Sequence, residues 1–195
     1  MGRFPDCNTS ESVIDFLRVE PEHYPMLWEW LQRPHVAAWF AHFSPSTYEG
    51  MVQEQAAMRD GTEASSPYLI LLDDVPAGYI QGYRWGDFPE ITEPLALSGD
   101  AVGADLYIAD EERLGRGLGP RIVATFYLRL MDEMGLDLGF IDPEVDNARA
   151  VRAYEKAGFT FLRVTDSSEP RDRLHLMQAS RADLERALSS LEPKE

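Results

Sequence analysis

The 195-residue sequence is poor in the residues that build disulfides and metal clusters. Its single cysteine, Cys7, has no partner for an internal disulfide. The four histidines are His23, His35, His42 and His175, and they lack the spacing of a ligand pair such as that in HExxH. We therefore expect neither a disulfide framework nor a metal centre.

Long apolar segments are also lacking. No stretch approaches the ~18 consecutive apolar residues of a membrane span, and the start, MGRFPDCNTSES, lacks the charged and apolar regions of a secretory signal. The sequence thus predicts no membrane span and no export, and the cytosol is the expected compartment.

Basic residues are scarce, with 18 Lys and Arg against 34 Asp and Glu and a formal net charge of −16. Such a chain repels nucleic acid and anionic membrane surfaces, so neither is an expected partner. The acidity is uneven: residues 1–110 carry 18 acidic and 5 basic side chains, and residues 111–195 carry 16 and 13. If the later part binds a phosphorylated ligand, the acidic part favours a cationic second substrate; a merely solubilising acidic surface is the alternative.

Hydrophobic periodicity predicts a single α/β domain over residues 1–195. The sequence contains no Gly/Ser linker or internal repeat that would divide it. A strand, helix and strand between 101 and 142 should place those two strands side by side and parallel. The predicted elements are strand 12–20, helices 21–32 and 47–61, a hairpin of strands 68–74 and 77–85 turning at Val75 and Pro76, an irregular stretch 86–100, strand 101–110, helix 119–134, strand 136–144, helix 146–159, strands 159–166 and 173–180, and helix 181–195.

The segment LGRGLGPR, residues 114–121, stands between a predicted strand and a predicted helix. Glycine permits close backbone approach, and a helix start presents unpaired N–H groups, so this junction suits a phosphate. It matches neither the P-loop GxxxxGK[ST] nor the dinucleotide motif GxGxxG. Taken alone, the segment is also compatible with a glycine-rich turn that merely enters a helix.

The strand, the LGRGLG loop, the next helix and strand, and then DNARAVRAYEKAGF together resemble the GCN5-related N-acetyltransferase (GNAT) family. The resemblance implies an α/β fold whose mixed central sheet has splayed parallel strands and flanking helices, with acetyl-CoA as co-substrate. In that family the loop amides hold the pyrophosphate, and the second helix brings an Asn and a Tyr near the pantetheine and sulfur. The family's usual Arg or Gln at the first loop position is replaced by Leu114, for which Arg116 is expected to compensate. The implied cofactor-binding residues are Tyr107, Ile108, Leu114, Gly115, Arg116, Gly117, Leu118, Gly119, Pro120, Asn147 and Tyr154.

Over residues 12–188 the segments LWEWLQRPHVAAWF, VQEQ, PAGYIQGY, IDPEVDNARAVRAYEKAGF and MQASRADLERA are similar to aminoglycoside 6′-N-acetyltransferases. The implied reaction acetylates the 6′-amino group of a cationic antibiotic and confers resistance. The same motifs also resemble siderophore-building acyltransferases that act on a hydroxylysine-type amine. A catalytically silent acetyl-CoA-binding module is a third interpretation, and the oligomeric state is left open.

The resemblance also implies roles for individual side chains. Asp105 would bind the reacting ammonium and help to remove its proton, Tyr154 would protonate the leaving thiolate, and a main-chain N–H near Tyr107 or Ile108 would stabilise the oxyanion. Because an unperturbed Asp has a pKa of ~3.9, we expect Asp105 to act mainly by electrostatic positioning. The implied substrate-binding residues are Trp39, Gln81, Tyr83, Asp105, Asp142 and Glu169.

Overall fold

Seven strands form one continuous sheet in the order β1-β2-β3-β4-β5-β7-β6. A computed structural model describes residues 12–41, 44–166 and 173–191. The strands are β1 Ile14–Arg18, β2 Ser66–Leu72, β3 Val75–Arg84, β4 Val102–Ile108, β5 Leu138–Ile141, β6 Thr160–Asp166 and β7 Arg173–Ser180. The helices are α1 Tyr24–Leu31, α2 Pro34–Phe40, α3 Tyr48–Arg59, α4 Pro89–Thr92, α5 Leu118–Met134, α6 Ala148–Lys156 and α7 Arg181–Leu191. Within the described ranges, no helix is long and apolar enough to cross a bilayer.

The sheet is covered on both faces, and the described residues form two large hydrophobic clusters and a smaller third one around Trp85 and Phe140. On one face, β-strand residues such as Tyr68 and Ile80 pack with Ile122 and Phe126 of α5 and with Leu184 of α7. On the other face, α1, α2 and α3 pack over strand residues including Leu69, Tyr79 and Tyr107. Successive residues of a strand, such as Tyr68 and Leu69, thus point to opposite faces of the sheet, and both faces are covered.

The pair β4–β5 confirms the parallel crossover predicted for residues 101–142. These strands are parallel and are joined by α5, but Val102 and Gly139 are their one paired position. Every other neighbouring pair in the described sheet is antiparallel and more extensively paired. The two strands therefore diverge beyond Val102 and open a gap at the centre of the sheet.

The hairpin turn was wrongly predicted at Val75 and Pro76. Leu72 pairs with Val75, and the turn residues are Asp73 and Asp74, with φ angles of 52° and 63°. Two successive left-handed residues are typical of a type I′ hairpin turn, which Asp tolerates better than most side chains.

Two short helices were not predicted. Pro34 was expected only to stop the preceding helix, but it also begins α2. At the first position of a helix the main-chain N–H has no acceptor within the helix, so proline, which lacks that N–H, is well tolerated there. Pro89 begins α4 within the stretch 86–100 in the same way. Proline at a helix start and proline after a helix end give the same sequence signal, which explains the error at Pro34.

Candidate active site

The gap between β4 and β5 exposes main-chain groups of alternate β4 residues. Ala109 donates to Ala77 and Trp85 donates to Ala101, so the odd-numbered residues of β4 bond to β3. The main-chain groups of the even-numbered residues therefore point toward β5. The N–H of Tyr107 consequently faces β3, whereas that of Ile108 faces the gap. The Ile108 carbonyl accepts a hydrogen bond of 3.1 Å from Nε2 of His35, which leaves the N–H as the group available to a ligand.

At one end of the gap, the glycine loop leads into α5 with an unusual backbone. Gly115 and Gly117 have φ angles of 74° and 81°, and Gly117 is the N-cap of the helix. A Cβ at either position would meet nothing within 4 Å, so the conformation and not the space demands glycine. No acceptor for the N–H groups of Gly115, Gly117 and Gly119 is found within the described ranges. These donors at a helix start form the kind of site that binds a phosphate.

Helix α6 adds cations beside this loop. A Cβ on Gly119 would lie 3.6 Å from Cβ of Ala153, so α6 packs closely against the start of α5. Arg149, Arg152 and Lys156 stand on the same side of α6 and line the cleft. Main-chain N–H groups and three side-chain cations thus meet at one end of the cleft, which makes that end complementary to a polyanion.

Asn147 begins α6, as the sequence predicted for Asp146 or Asn147. Its Oδ1 accepts the N–H of Ala150 at 3.1 Å and so satisfies one unpaired donor of the first turn. The side chain that the resemblance assigns to the cofactor is therefore also the helix cap. Its position in the cleft wall follows from that capping role.

The other end of the cleft holds two carboxylates without cationic partners among the described residues. Asp105 on β4 accepts a hydrogen bond of 3.0 Å from Nε2 of Gln81. Burial raises the pKa of Asp105, and the hydrogen bond from Gln81 opposes that rise. Burial, reinforced by the Asp105 carboxylate, raises the pKa of Asp142 to about 8. Two desolvated carboxyl groups close to each other form a strong site for an ammonium ion.

A buried hydrogen-bond chain reaches Asp105 from α3. Nε2 of Gln55 donates to the Tyr79 hydroxyl at 3.0 Å, and that hydroxyl donates to Oε1 of Gln81 at 2.8 Å. Gln81 in turn donates to Asp105, so the orientation of its amide is fixed from both sides. The Tyr79 ring also stacks on Tyr107 with centroids 5.5 Å apart. Sequence reasoning assigned no role to Gln55 or Tyr79, although both lie in the quoted segments VQEQ and PAGYIQGY.

Tyr154 on α6 lies between the two ends of the cleft. Burial, followed by the nearby charges of Asp105 and Asp142, raises the pKa of its hydroxyl above the usual value. The hydroxyl therefore stays protonated at neutral pH and has a proton to give. The same carboxylates, after burial, raise the pKa of Tyr83 well above its usual value, so Tyr83 also lies beside the acidic end.

Most of the residues singled out from the sequence line one cleft of about 820 Å³. Leu118, by contrast, is buried in the core, and Arg116 is solvent-exposed and outside the lining. Glu169 lies outside the described residues. No cluster of three or more potential metal ligands occurs in the described ranges. The lining residues that the sequence had singled out are Trp39, Gln81, Tyr83, Asp105, Tyr107, Ile108, Leu114, Gly115, Gly117, Gly119, Pro120, Asp142, Asn147 and Tyr154.

Comparison with known proteins identifies the class. Residues 20–167 match the family model described as an acetyltransferase (GNAT) domain. The chain therefore belongs to the GNAT family of acetyltransferases, as the loop and helix motifs indicated.

Named relatives narrow the similarity further. The chain is 35% identical over 159 residues to the aminoglycoside N(6′)-acetyltransferase type 1 of Klebsiella pneumoniae, covering 78% of this chain and 76% of the relative. It is 30% identical over 159 residues to the lysine N-acyltransferase MbtK of Mycobacterium tuberculosis, covering 79% and 72%. Among solved structures, the aminoglycoside acetyltransferase AAC(6′)-Ib with coenzyme A and kanamycin superposes with a TM-score of 0.73 at 26% identity, covering 89% of this chain and 98% of that one.

Proposed function

We propose that this acetyltransferase transfers the acetyl group of acetyl-CoA to the 6′-amino group of an aminoglycoside and thereby confers resistance. The observation that carries the proposal is the division of charge within one cleft. Unpaired main-chain donors and the cations of α6 lie at one end, and Asp105 and Asp142 lie at the other. A polyanionic acyl carrier and a polycationic acceptor match these two ends.

The loop end fits the diphosphate of coenzyme A. The N–H groups of Gly115, Gly117 and Gly119 are the proposed ligands of the phosphate oxygens, with Arg149 and Arg152 nearby for the remaining negative charge. Acetyl-CoA supplies an acetyl group activated as a thioester. Its use also favours the cytoplasm as the proposed site of the reaction.

The acidic end fits the amine. We assign to Asp105 and Asp142 the binding of the reacting ammonium, with Gln81 holding the Asp105 carboxylate in place. The amine must lose its proton before it attacks the thioester carbonyl, and carboxylates with raised pKa values are better proton acceptors than ordinary ones. The sequence had suggested that Asp105 is too weak a base; the desolvated pair reduces that difficulty.

Two groups near the centre of the cleft serve the acyl transfer itself. The Ile108 N–H is the proposed donor to the carbonyl oxygen on which negative charge develops. The Tyr154 hydroxyl is the proposed acid that protonates the departing thiolate. Starting from the ammonium, the nitrogen loses two protons: one passes to a carboxylate before the attack, and the other leaves the nitrogen of the tetrahedral intermediate. The second proton restores the Tyr154 hydroxyl after that hydroxyl has protonated the thiolate, so the amide and the free thiol form with the net release of one proton.

The similarity to a lysine N-acyltransferase supports a second candidate, acylation of a smaller amine of the hydroxylysine type. A panel assay of thiol release from acetyl-CoA with kanamycin, tobramycin and hydroxylysine separates the two. We expect turnover of the antibiotics. Turnover of hydroxylysine alone would favour the second candidate, and silence with every amine would favour a binding module, although Tyr154 and the loop glycines are all present.

A further inference from the structure

Tyr127 lies in the middle of α5 and is fully buried against the sheet. Its ring packs over Gly139 of β5, where an added Cβ would lie 2.7 Å from Cδ1 of Tyr127. Its hydroxyl donates to the main-chain oxygen of Phe140 at 2.8 Å. The main-chain N–H of Ala104 lies near enough to this hydroxyl to oppose the rise of its pKa, which burial causes. One hydroxyl group is therefore bonded to β5 and stands beside the main chain of β4.

The register of the two strands shows what this hydroxyl replaces. Arg181 donates to Asp137, so the main-chain groups of Leu138 and Phe140 face β4. Beyond the pair Val102–Gly139, the next rung of a parallel ladder would join the N–H of Ala104 directly to the oxygen of Phe140. The Tyr127 hydroxyl takes the Phe140 oxygen as its acceptor instead, and it lies beside the N–H of Ala104.

The rung after that is also altered. It would join the N–H of Asp142 to the oxygen of Ala104, but β4 and β5 are paired only at Val102 and Gly139, so this bond is not formed. Normal pairing thus ends where the Tyr127 hydroxyl enters the ladder. The cleft that contains Asp105 and Ile108 begins at the same level of the sheet.

We propose that Tyr127 is a positioning residue. Its hydroxyl holds β4 and β5 apart where the cleft begins, and so sets the width of the cleft for the acyl carrier. A hydroxyl inserted into one hydrogen bond separates the two main-chain groups by roughly 2–3 Å more than a direct bond does. It also satisfies the Phe140 oxygen, which would otherwise be a buried acceptor without a partner at this point of the open sheet. The inference rests on the proposed binding of coenzyme A in this cleft.

The hydroxyl and the ring of Tyr127 have separable effects. In Tyr127→Phe the ring still fills the core, but the Phe140 oxygen loses its donor and the Ala104 N–H loses its polar neighbour. Buried main-chain groups seek another partner, and the direct bond between these two is the nearest replacement. The two strands β4 and β5 then approach each other, and the cleft between them narrows.

The test compares coenzyme A binding by the parent protein, Tyr127→Phe and Tyr68→Phe, measured by calorimetry. We expect Tyr127→Phe to raise the Kd for coenzyme A and the KM for acetyl-CoA about tenfold, with kcat changed less than about threefold. Tyr68 is a matched control because it is buried in the same hydrophobic core but belongs to β2, which does not neighbour β4 or β5 in the sheet. Its variant should lower Tm and leave both constants unchanged.

A crystal structure of Tyr127→Phe supplies a readout that does not depend on activity. The expected result is a direct hydrogen bond between the nitrogen of Ala104 and the oxygen of Phe140. Unchanged strand spacing, parent-like coenzyme affinity, or an equal loss of affinity in Tyr68→Phe would each overturn the inference. If the parent itself fails to bind coenzyme A, the proposed function fails, and the strand spacing in the variant still decides the role of Tyr127.

Discussion

The two ends of the cleft are assembled from the chain in opposite ways. The anion-binding end comes from one contiguous segment, the loop before α5, together with α6. The carboxylate end joins Gln55 of α3, Gln81 of β3, Asp105 of β4 and Asp142 after β5, which meet only because the sheet brings their strands together. One end is a local structure and the other is a product of the tertiary fold.

The two ends of the cleft are also proposed to bind their ligands through different interactions. The loop end relies on main-chain dipoles, so its performance depends on backbone conformation at Gly115 and Gly117. The acidic end is proposed to rely on two carboxyl groups whose ionisation burial opposes, so it depends on side-chain chemistry and on pH. Substitutions should therefore separate the ends: backbone strain should affect the coenzyme, and loss of a carboxylate should affect the amine.

The largest effect is expected at the acidic end. Asp105→Asn removes the charge that we propose binds the reacting ammonium, while the amide keeps the shape and the contact with Gln81. We expect kcat/KM for kanamycin to fall about 10³-fold and the Kd for coenzyme A to stay within about twofold. Asp15→Asn, on the exposed edge strand β1, is the control and should leave both values unchanged. Full activity of Asp105→Asn contradicts the assigned charge contact.

A smaller loss of activity is expected from a substitution at Tyr154, which lies between the two ends of the cleft. Tyr154→Phe removes the proposed proton donor and leaves the ring packing near Phe159. Steady-state kinetics should give a kcat about 10²-fold lower, with coenzyme A affinity nearly unchanged. Tyr48→Phe, on α3 and outside the cleft lining, serves as the comparison and should keep the parent rate. An unchanged kcat in Tyr154→Phe removes this residue from the acid role.

At the loop end, Gly117→Ala tests the role of backbone conformation. Alanine disfavours the φ angle of 81° by about 1–2 kcal/mol, although its Cβ has room. We expect an approximately tenfold weaker Kd for coenzyme A and an unchanged Kd for kanamycin in calorimetry. Gly61→Ala is matched because Gly61 has a φ angle of 74°, equal open space and a position outside the cleft. Equal loss of coenzyme affinity in both variants would indicate general destabilisation.

The difference between a contiguous segment and residues that only the sheet brings together also explains how much of the site the sequence could predict. The loop, the cap Asn147 and the crossover between β4 and β5 follow from short-range signals, and the structure confirms the parallel pairing that they indicated. The chain from Gln55 through Tyr79 could not be predicted, because no local pattern tells which buried amide meets which hydroxyl. The raised pKa of Asp142 likewise depends on burial and on its distance from Asp105, both set by the assembled sheet.

The smallest effect concerns the free energy of unfolding, which the buried carboxyl group of Asp142 lowers as the pH rises. In the folded protein Asp142 has a pKa of about 8, whereas the unfolded chain should titrate near 3.8. The folded state therefore retains a proton that the unfolded state loses, and the free energy of unfolding falls as pH rises from about 4 to 8. Asp142→Asn cannot undergo this titration, so thermal denaturation at pH 8 should give a Tm ~2–4 °C above the parent.

That gap in Tm should shrink as the pH is lowered toward 5, because the pH then approaches the value at which the unfolded chain also takes up the proton. Asp15→Asn, which removes an exposed acidic side chain from β1, is the control for the loss of one negative charge. A stabilised Asp142→Asn that acetylates kanamycin poorly would mean that the acidic end is kept for binding a cation at the expense of the fold. A gap that is the same at both pH values would instead trace the effect to packing and leave the ionisation of Asp142 without a role in stability.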